Sequence, residues 1–233
     1  GQSECKLASA GTFVNVTGAS EPVDCLAGTR SSTAASYCKI CDVGSWSDVR
    51  ASECKLCDAG YSSDARGASE CSVCPAGTYK GAGEGPCLDC PLGRYTNQQG
   101  QSECKLASAG TFVNVTGASA TTDCAAGTYS MMASHNCTDC GIGEKSDEGA
   151  SSCIACGAGE SSNSTGAAEC SECPPGTYKP AGAGPCIDCL VATYTDAEGQ
   201  SECKLASAGT YVGEAGSSES TNCSAGFYSS TAM

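Results

Sequence analysis

The chain has 233 residues, 22 of them cysteine, and a net charge of -14 from 12 basic and 26 acidic side chains. Leu, Ile, Val and Phe together number 25, about 11% of the chain, below the roughly 20% needed for a hydrophobic core; burial cannot offset a backbone ordering cost of roughly 1–2 kcal/mol per residue. The acidic balance excludes nucleic acid and anionic membrane surfaces as partners, and without a run of about 18 apolar residues the segment does not insert into a bilayer.

Covalent links must therefore hold the fold. A cysteine content of about 9% is that of a disulfide-stapled extracellular chain, so the protein is expected to be secreted or to face outward from a cell or flagellar surface. Gly-Gln-Ser-Glu-Cys at 1–5 has none of the charged and apolar regions of a signal peptide. The same five residues return at 100–104 and 199–203, which predicts a fragment of a longer chain.

Taken in order, the chain repeats at two scales. Cys5, Cys25, Cys38, Cys41, Cys54, Cys57, Cys71, Cys74, Cys87 and Cys90 each recur 99 residues later, as Cys104, Cys124, Cys137, Cys140, Cys153, Cys156, Cys170, Cys173, Cys186 and Cys189; Cys203 and Cys223 continue the register. This predicts a first super-repeat at 1–99, a second at 100–198 and the start of a third at 199–233. Turn glycines such as Gly28/Gly127 and Gly77/Gly176 are held between copies, as are Tyr79/Tyr178 and Tyr95/Tyr194. Loop positions drift: Trp46 is matched by Lys145, Tyr61 by Glu160 and Ser36 by His135.

At the smaller scale, Cys-x-x-Cys doublets such as Cys38–Cys41 and Cys54–Cys57 are separated by 12 or 13 small, polar, glycine-bearing residues. Each gap reads as one small unit of hairpin and turn. The expected fold is small and disulfide-rich: an elongated rod of tandem short β-hairpin and loop modules, each touching only its neighbours, with minimal helix and no large hydrophobic core. One unit in six differs. Between Cys104 and Cys124, as after Cys5 and Cys203, the gap is 19 residues, and Ala107 and Thr121 stand where the doublet spacing would put cysteines. Thr111-Phe-Val-Asn-Val-Thr116 in that gap is the best strand candidate of the chain, β-branched, aromatic and bounded by glycines.

Two disulfide schemes are open. Sequential pairing joins Cys25–Cys38, Cys41–Cys54, Cys57–Cys71, Cys74–Cys87 and Cys90–Cys104, and likewise in the second copy Cys124–Cys137, Cys140–Cys153, Cys156–Cys170, Cys173–Cys186 and Cys189–Cys203. Loss of cysteines at 107 and 121 then deletes one bridge and orphans no partner, while Cys5 and Cys223 seek partners outside the fragment. A ladder, with Cys38–Cys54 beside Cys41–Cys57 and with Cys5–Cys25 and Cys104–Cys124 closed, pairs all 22 within the chain.

The motif Cys-Pro-x-Gly-x-Tyr followed by a glycine-bearing loop and Cys-x-x-Cys, seen at Cys74–Cys90 and Cys173–Cys189, resembles the ephrin-receptor-like cysteine-rich repeat. It is more distantly similar to modules of tumour necrosis factor receptors and to EGF-like repeats. Cys41–Cys57 and Cys140–Cys156 lack the proline and tyrosine, and the 19-residue gap departs from the motif altogether. The resemblance implies that the first cysteine of the motif closes its own loop, as Cys74–Cys87 and Cys173–Cys186. The near-verbatim repetition is also similar to surface proteins of protists and algae, including those of flagellar hairs (mastigonemes).

No catalytic residue is expected. Cys38-x2-Cys41-x12-Cys54-x2-Cys57 has zinc-ribbon spacing, but ten cysteines per period do not divide into tetrads, so neither metal nor cofactor is expected. Redox chemistry at Cys-x-x-Cys needs a βαβ setting that this pattern lacks. His135 is the sole histidine and its counterpart is Ser36, which precludes repeated Ser-His or Cys-His machinery. Asn15, Asn114, Asn136, Asn163 and Asn222 open Asn-x-Ser/Thr sequons and are the expected glycosylation sites; Asn136 and Asn222 have cysteine in the middle position.

The expected function is that of an extracellular structural glycoprotein, not an enzyme, assembling with itself and other filament glycoproteins into a surface filament such as a flagellar hair. Phe112, Val113 and Val115, with the counterpart Phe13-Val14-Asn15-Val16, are the expected assembly contact, an edge strand or apolar patch that meets a neighbouring chain; the alternative is a strand packed on its own hairpin. The alternative is a receptor or adhesion ectodomain whose cysteine-rich repeats bind a ligand.

Overall fold

A computed structural model describes residues 4–230. Among them there is no helix, and every strand is two residues long, paired antiparallel with one partner into thirteen separate hairpins. Two-residue strands are far too short to persist as free hairpins in water. Each is held by a turn, a bridge and a polar contact to the next module.

Residues 25–41 show how the sequence makes one hairpin. Thr29 N donates to Leu26 O at 3.1 Å, closing a turn whose third residue, Gly28, has φ 81°. That conformation suits glycine and strains other L-residues. Thr29–Arg30 then pairs with Lys39–Ile40, Thr29 opposite Ile40, and Cys41 N returns to Gly28 O at 2.9 Å. The Cys25–Cys38 bridge, with Cα atoms 5.7 Å apart, ties the start of the module to the head of its second strand. Closing a loop of this size contributes about 3 kcal/mol on the chain-entropy view. The turn recurs at Pro75–Thr78 and Pro174–Thr177. At Leu190–Thr193, Ala192 takes the glycine position at φ 69°.

The core is small and largely polar. The second cysteine of each doublet, such as Cys41, Cys74, Cys90 and Cys173, is buried, and its neighbours in the interior are hydroxyls. Three residues after most turn glycines stands a serine or threonine that reaches back to the preceding hairpin. Ser31 Oγ donates to Thr12 O at 2.8 Å, Ser47 Oγ to Thr29 O at 3.0 Å and Ser146 Oγ to Thr128 O at 2.9 Å. Thr96 and Thr195 also accept from Gly77 N and Gly176 N, each at 2.8 Å. Buried hydroxyls are tolerable only when paired, and every buried side-chain polar atom among the described residues has a partner.

Two substitutions interrupt this ladder in register. In the 19-residue gap the hydroxyl is replaced by Val113 and the missing cysteine by Ala107, both buried, so methyl groups fill the space of a bridge. In the Cys-Pro-x-Gly-x-Tyr modules the position belongs to Lys80 and Lys179. Lys179 is only 2% exposed, and its ammonium donates to Cys156 O at 3.3 Å, Gly157 O at 3.4 Å, Pro180 O at 3.5 Å and Gly182 O. Lys80 Nζ similarly meets Gly83 O at 2.5 Å. Carbonyl dipoles thus take the place of a counter-anion and pin the Gly-rich loop 81–85 and its counterpart 180–184.

The modules reach further than their immediate neighbours, contrary to expectation. A Cβ added to Gly28 would meet Gly67 O at 1.9 Å, and one at Gly127 would meet Gly166 O at 2.1 Å. Gly85 N donates to Val43 O at 3.1 Å. These turns therefore abut the loop of the hairpin next but one, which a Cβ would prevent.

The chain divides into two compact units, one comprising the described residues to Leu106 with Val113–Thr121, the other Ala107–Phe112 with the described residues from Thr122. The division lies in the gap without a bridge. There the strand is Thr111–Phe112 alone, paired with Thr122–Asp123, not the six residues the composition suggests. Beyond Phe112 the backbone is engaged elsewhere, Val113 O accepting from Gly93 N at 2.9 Å.

Candidate functional surface

The side chains that reach solvent are set by the hairpin itself. In each doublet the two residues between the cysteines form the second strand and both are exposed, as in Lys55–Leu56, Leu88–Asp89 and Ile187–Asp188. The ten bridges join the second cysteine of one doublet to the first of the next, from Cys25–Cys38 through Cys41–Cys54, Cys57–Cys71, Cys74–Cys87 and Cys90–Cys104. In the second super-repeat they are Cys124–Cys137, Cys140–Cys153, Cys156–Cys170, Cys173–Cys186 and Cys189–Cys203. Cys5 and Cys223 have no partner within the chain. The pairing is sequential, and the ladder is absent.

All five sequon asparagines are exposed. Asn15 and Asn114 follow the inward-facing Val14 and Val113 in the bridge-free gap, and Asn163 follows the buried Ser162. Asn136 precedes Cys137, which is bonded to Cys124, and Asn222 lies in the strand Thr221–Asn222. Of the three assembly-contact residues, Val113 is 3% exposed, Phe112 is half-buried and Val115 is 57% exposed. Val113 cannot meet a neighbour without unpacking its module, because it fills the interior position that hydroxyls take elsewhere. The hydroxyl ladder and the buried lysines escape a reading of cysteines and strands; the spacing Gly-x-x-Ser/Thr is the signal that carries the first.

Charges are mostly solvated. Four exposed ion pairs are present among the described residues, Arg50–Asp24, Lys55–Asp48, Arg66–Asp42 and Lys204–Asp196. In the last, at 2.6 Å, the hydrogen bond from Lys204 holds the Asp196 carboxyl below its ordinary range, and the Asp196 carboxylate in turn raises the Lys204 ammonium. In the first copy the equivalent contact is Lys105 Nζ to Asn97 Oδ1 at 3.2 Å.

The stretch from the turn glycine of the Cys-Pro-x-Gly-x-Tyr motif onward, with its lysine-pinned loop, matches a known family. Residues 77–124 and 176–223 match the family described as tyrosine-protein kinase ephrin type A/B receptor-like. Over these two spans the chain is similar to ephrin-receptor-like cysteine-rich repeats. The two spans begin 99 residues apart, one per super-repeat, and each ephrin-receptor-like span runs from the turn glycine of the motif through the bridge-free gap. No curated protein is significantly similar to the chain. Tandem modules of this type, with ten disulfides, belong to an extracellular domain, and no helix among the described residues is long and apolar enough to cross a membrane.

Proposed function

We propose that this chain is a non-catalytic extracellular structural glycoprotein whose repeats assemble, with copies of itself and with other filament glycoproteins, into a surface filament such as a flagellar hair. The observation that carries this reading is repetition at the surface. Residues 100–111 and 199–210 are identical, including the exposed Ser102, Glu103, Lys105 and Ser108. The fold fixes the cysteines, turn glycines and buried side chains, so identity of the solvent-facing residues of this stretch at an interval of 99 supports a partner that repeats at the same interval. A heterologous contact repeated this way propagates without closing.

Within that reading Val115 and the outer edge of Phe112 form the apolar part of the contact, and a glycan on Asn114, next to Val115 in the chain, flanks it. The test is sedimentation velocity on natively glycosylated protein. Growth into polymers with rising concentration, reduced by Val115→Asp, is expected; a chain that stays monomeric at high concentration overturns the filament. The receptor or adhesion ectodomain is favoured by a different observation, the departure of residues 45–73 from their counterparts at 144–172.

A further inference from the structure

Four of the fourteen changed positions in that stretch fall at one cleft. Trp46, Leu56, Tyr61, Asp58 and Glu70 line a cleft of about 220 Å³ between adjacent hairpins, with the Cys57–Cys71 bridge beside it. In the second super-repeat the first four are Lys145, Ala155, Glu160 and Gly157, and Glu70 is kept, as Glu169. Structural positions of the same modules, the cysteines, Gly60/Gly159 and Ser62–Ser63/Ser161–Ser162, do not change. Four of the six lining residues thus differ, Cys71 being kept with Glu70, and the copy that differs gains the chain's single tryptophan.

We propose that this cleft recognises an arginine side chain presented by a partner polypeptide. Aromatic faces attract cations, and a guanidinium can stack on them while its fork meets carboxylates. Neither Asp58 nor Glu70 belongs to an ion pair among the described residues, so both are available. Leu56 and Tyr61 are 51% and 44% exposed, enough to cover an aliphatic stem. The indole already serves as a cation platform within the chain: Lys55 Nζ lies 4.7 Å from the Trp46 ring centroid, its charge neutralised by Asp48 at 3.1 Å. The chain's net charge of -14 favours a basic partner.

Trp46 is the reporter for the test, since no other indole contributes. The peptide acetyl-Gly-Ser-Arg-Ser-Gly-amide is titrated against the intact disulfide-bonded chain while tryptophan emission is followed, with the citrulline peptide as an uncharged isostere and chitotriose as a neutral sugar. Expected are a saturable change with the arginine peptide, at least about tenfold weaker binding of the citrulline peptide, and a similar loss in Asp58→Asn/Glu70→Gln, the order of one charge-assisted hydrogen bond. Tyr61→Ser removes half of the aromatic wall without adding a charge, at an exposed position, and it too weakens binding. Equal response to citrulline, response to chitotriose alone, an emission change with protein concentration alone, or no saturable change overturns the proposal.

Discussion

At the scale of single residues, the determinants of this fold are backbone geometry and buried hydrogen bonds. Glycine is required at Gly28 for two separate reasons, its φ of 81° and the Gly67 carbonyl that a Cβ would strike. At the equivalent turn of the last doublet only the first requirement remains visible, because Ala192 already carries a Cβ at φ 69°. An L-residue other than glycine costs roughly 1–2 kcal/mol in that region, partly offset by the greater flexibility glycine gives the unfolded chain. Ala192→Gly is therefore expected to stabilise by about 1 kcal/mol, read as a higher denaturant midpoint at unchanged slope. Gly28→Ala in the same assay should destabilise by clearly more than that. Neither difference is visible in the sequence, where Gly93 and Ala192 look like interchangeable small residues.

At the scale of the hairpin, the cysteine spacing alone conveyed the unit, its length and the absence of helix, since a doublet every 12 or 13 residues leaves room for one turn and two short strands. It could not convey the interior. Hydrophobic patterning finds cores made of large apolar side chains, whereas here Ser47, Thr96, Ser146 and Thr195 sit inside with the sulfurs, and Lys179 is buried in a cage of carbonyls that come from loops distant in sequence. The bridge-free gap is the instructive exception. Its hairpin register, Thr111 opposite Asp123 and Phe112 opposite Thr122, matches that of Arg94 opposite Leu106 and Tyr95 opposite Lys105, whose module is bridged by Cys90–Cys104. Positions 107 and 121 stand to their strands as 90 and 104 do to theirs. Ala107→Cys/Thr121→Cys is expected to form an eleventh bridge and to add about 3 kcal/mol on the chain-entropy view. Non-reducing peptide mapping identifies the bond and thermal unfolding reads the gain; two free thiols in the oxidised protein would show that the gap has relaxed away from the shared register.

At the scale of the whole chain, the repeat of 99 residues was legible from the sequence, but the reach of each contact was not, because next-but-one packing leaves no mark except glycines that could equally serve turns alone. That reach determines how far damage spreads. A module linked to its two successors, as Gly28 is to Ser47 and Gly67, is linked by the same contacts to its predecessors and shares its stability with these near neighbours, so the array behaves as locally coupled segments. Removing one native bridge from a small stapled unit costs roughly 2–5 kcal/mol, enough to open that unit where no apolar core remains to hold it. Cys41→Ser/Cys54→Ser is accordingly expected to abolish amide protection at Ser45–Trp46 and Lys55–Leu56 and to weaken it at Gly28 and Gly67, which contact that module through Ser47 O and Cys41 O. Hydrogen exchange at Cys140–Cys189, in the second super-repeat, should be unaltered. Loss of protection throughout the chain would mean instead that the modules fold as one cooperative body, and that the sulfurs contribute to a single shared interior rather than to thirteen local ones.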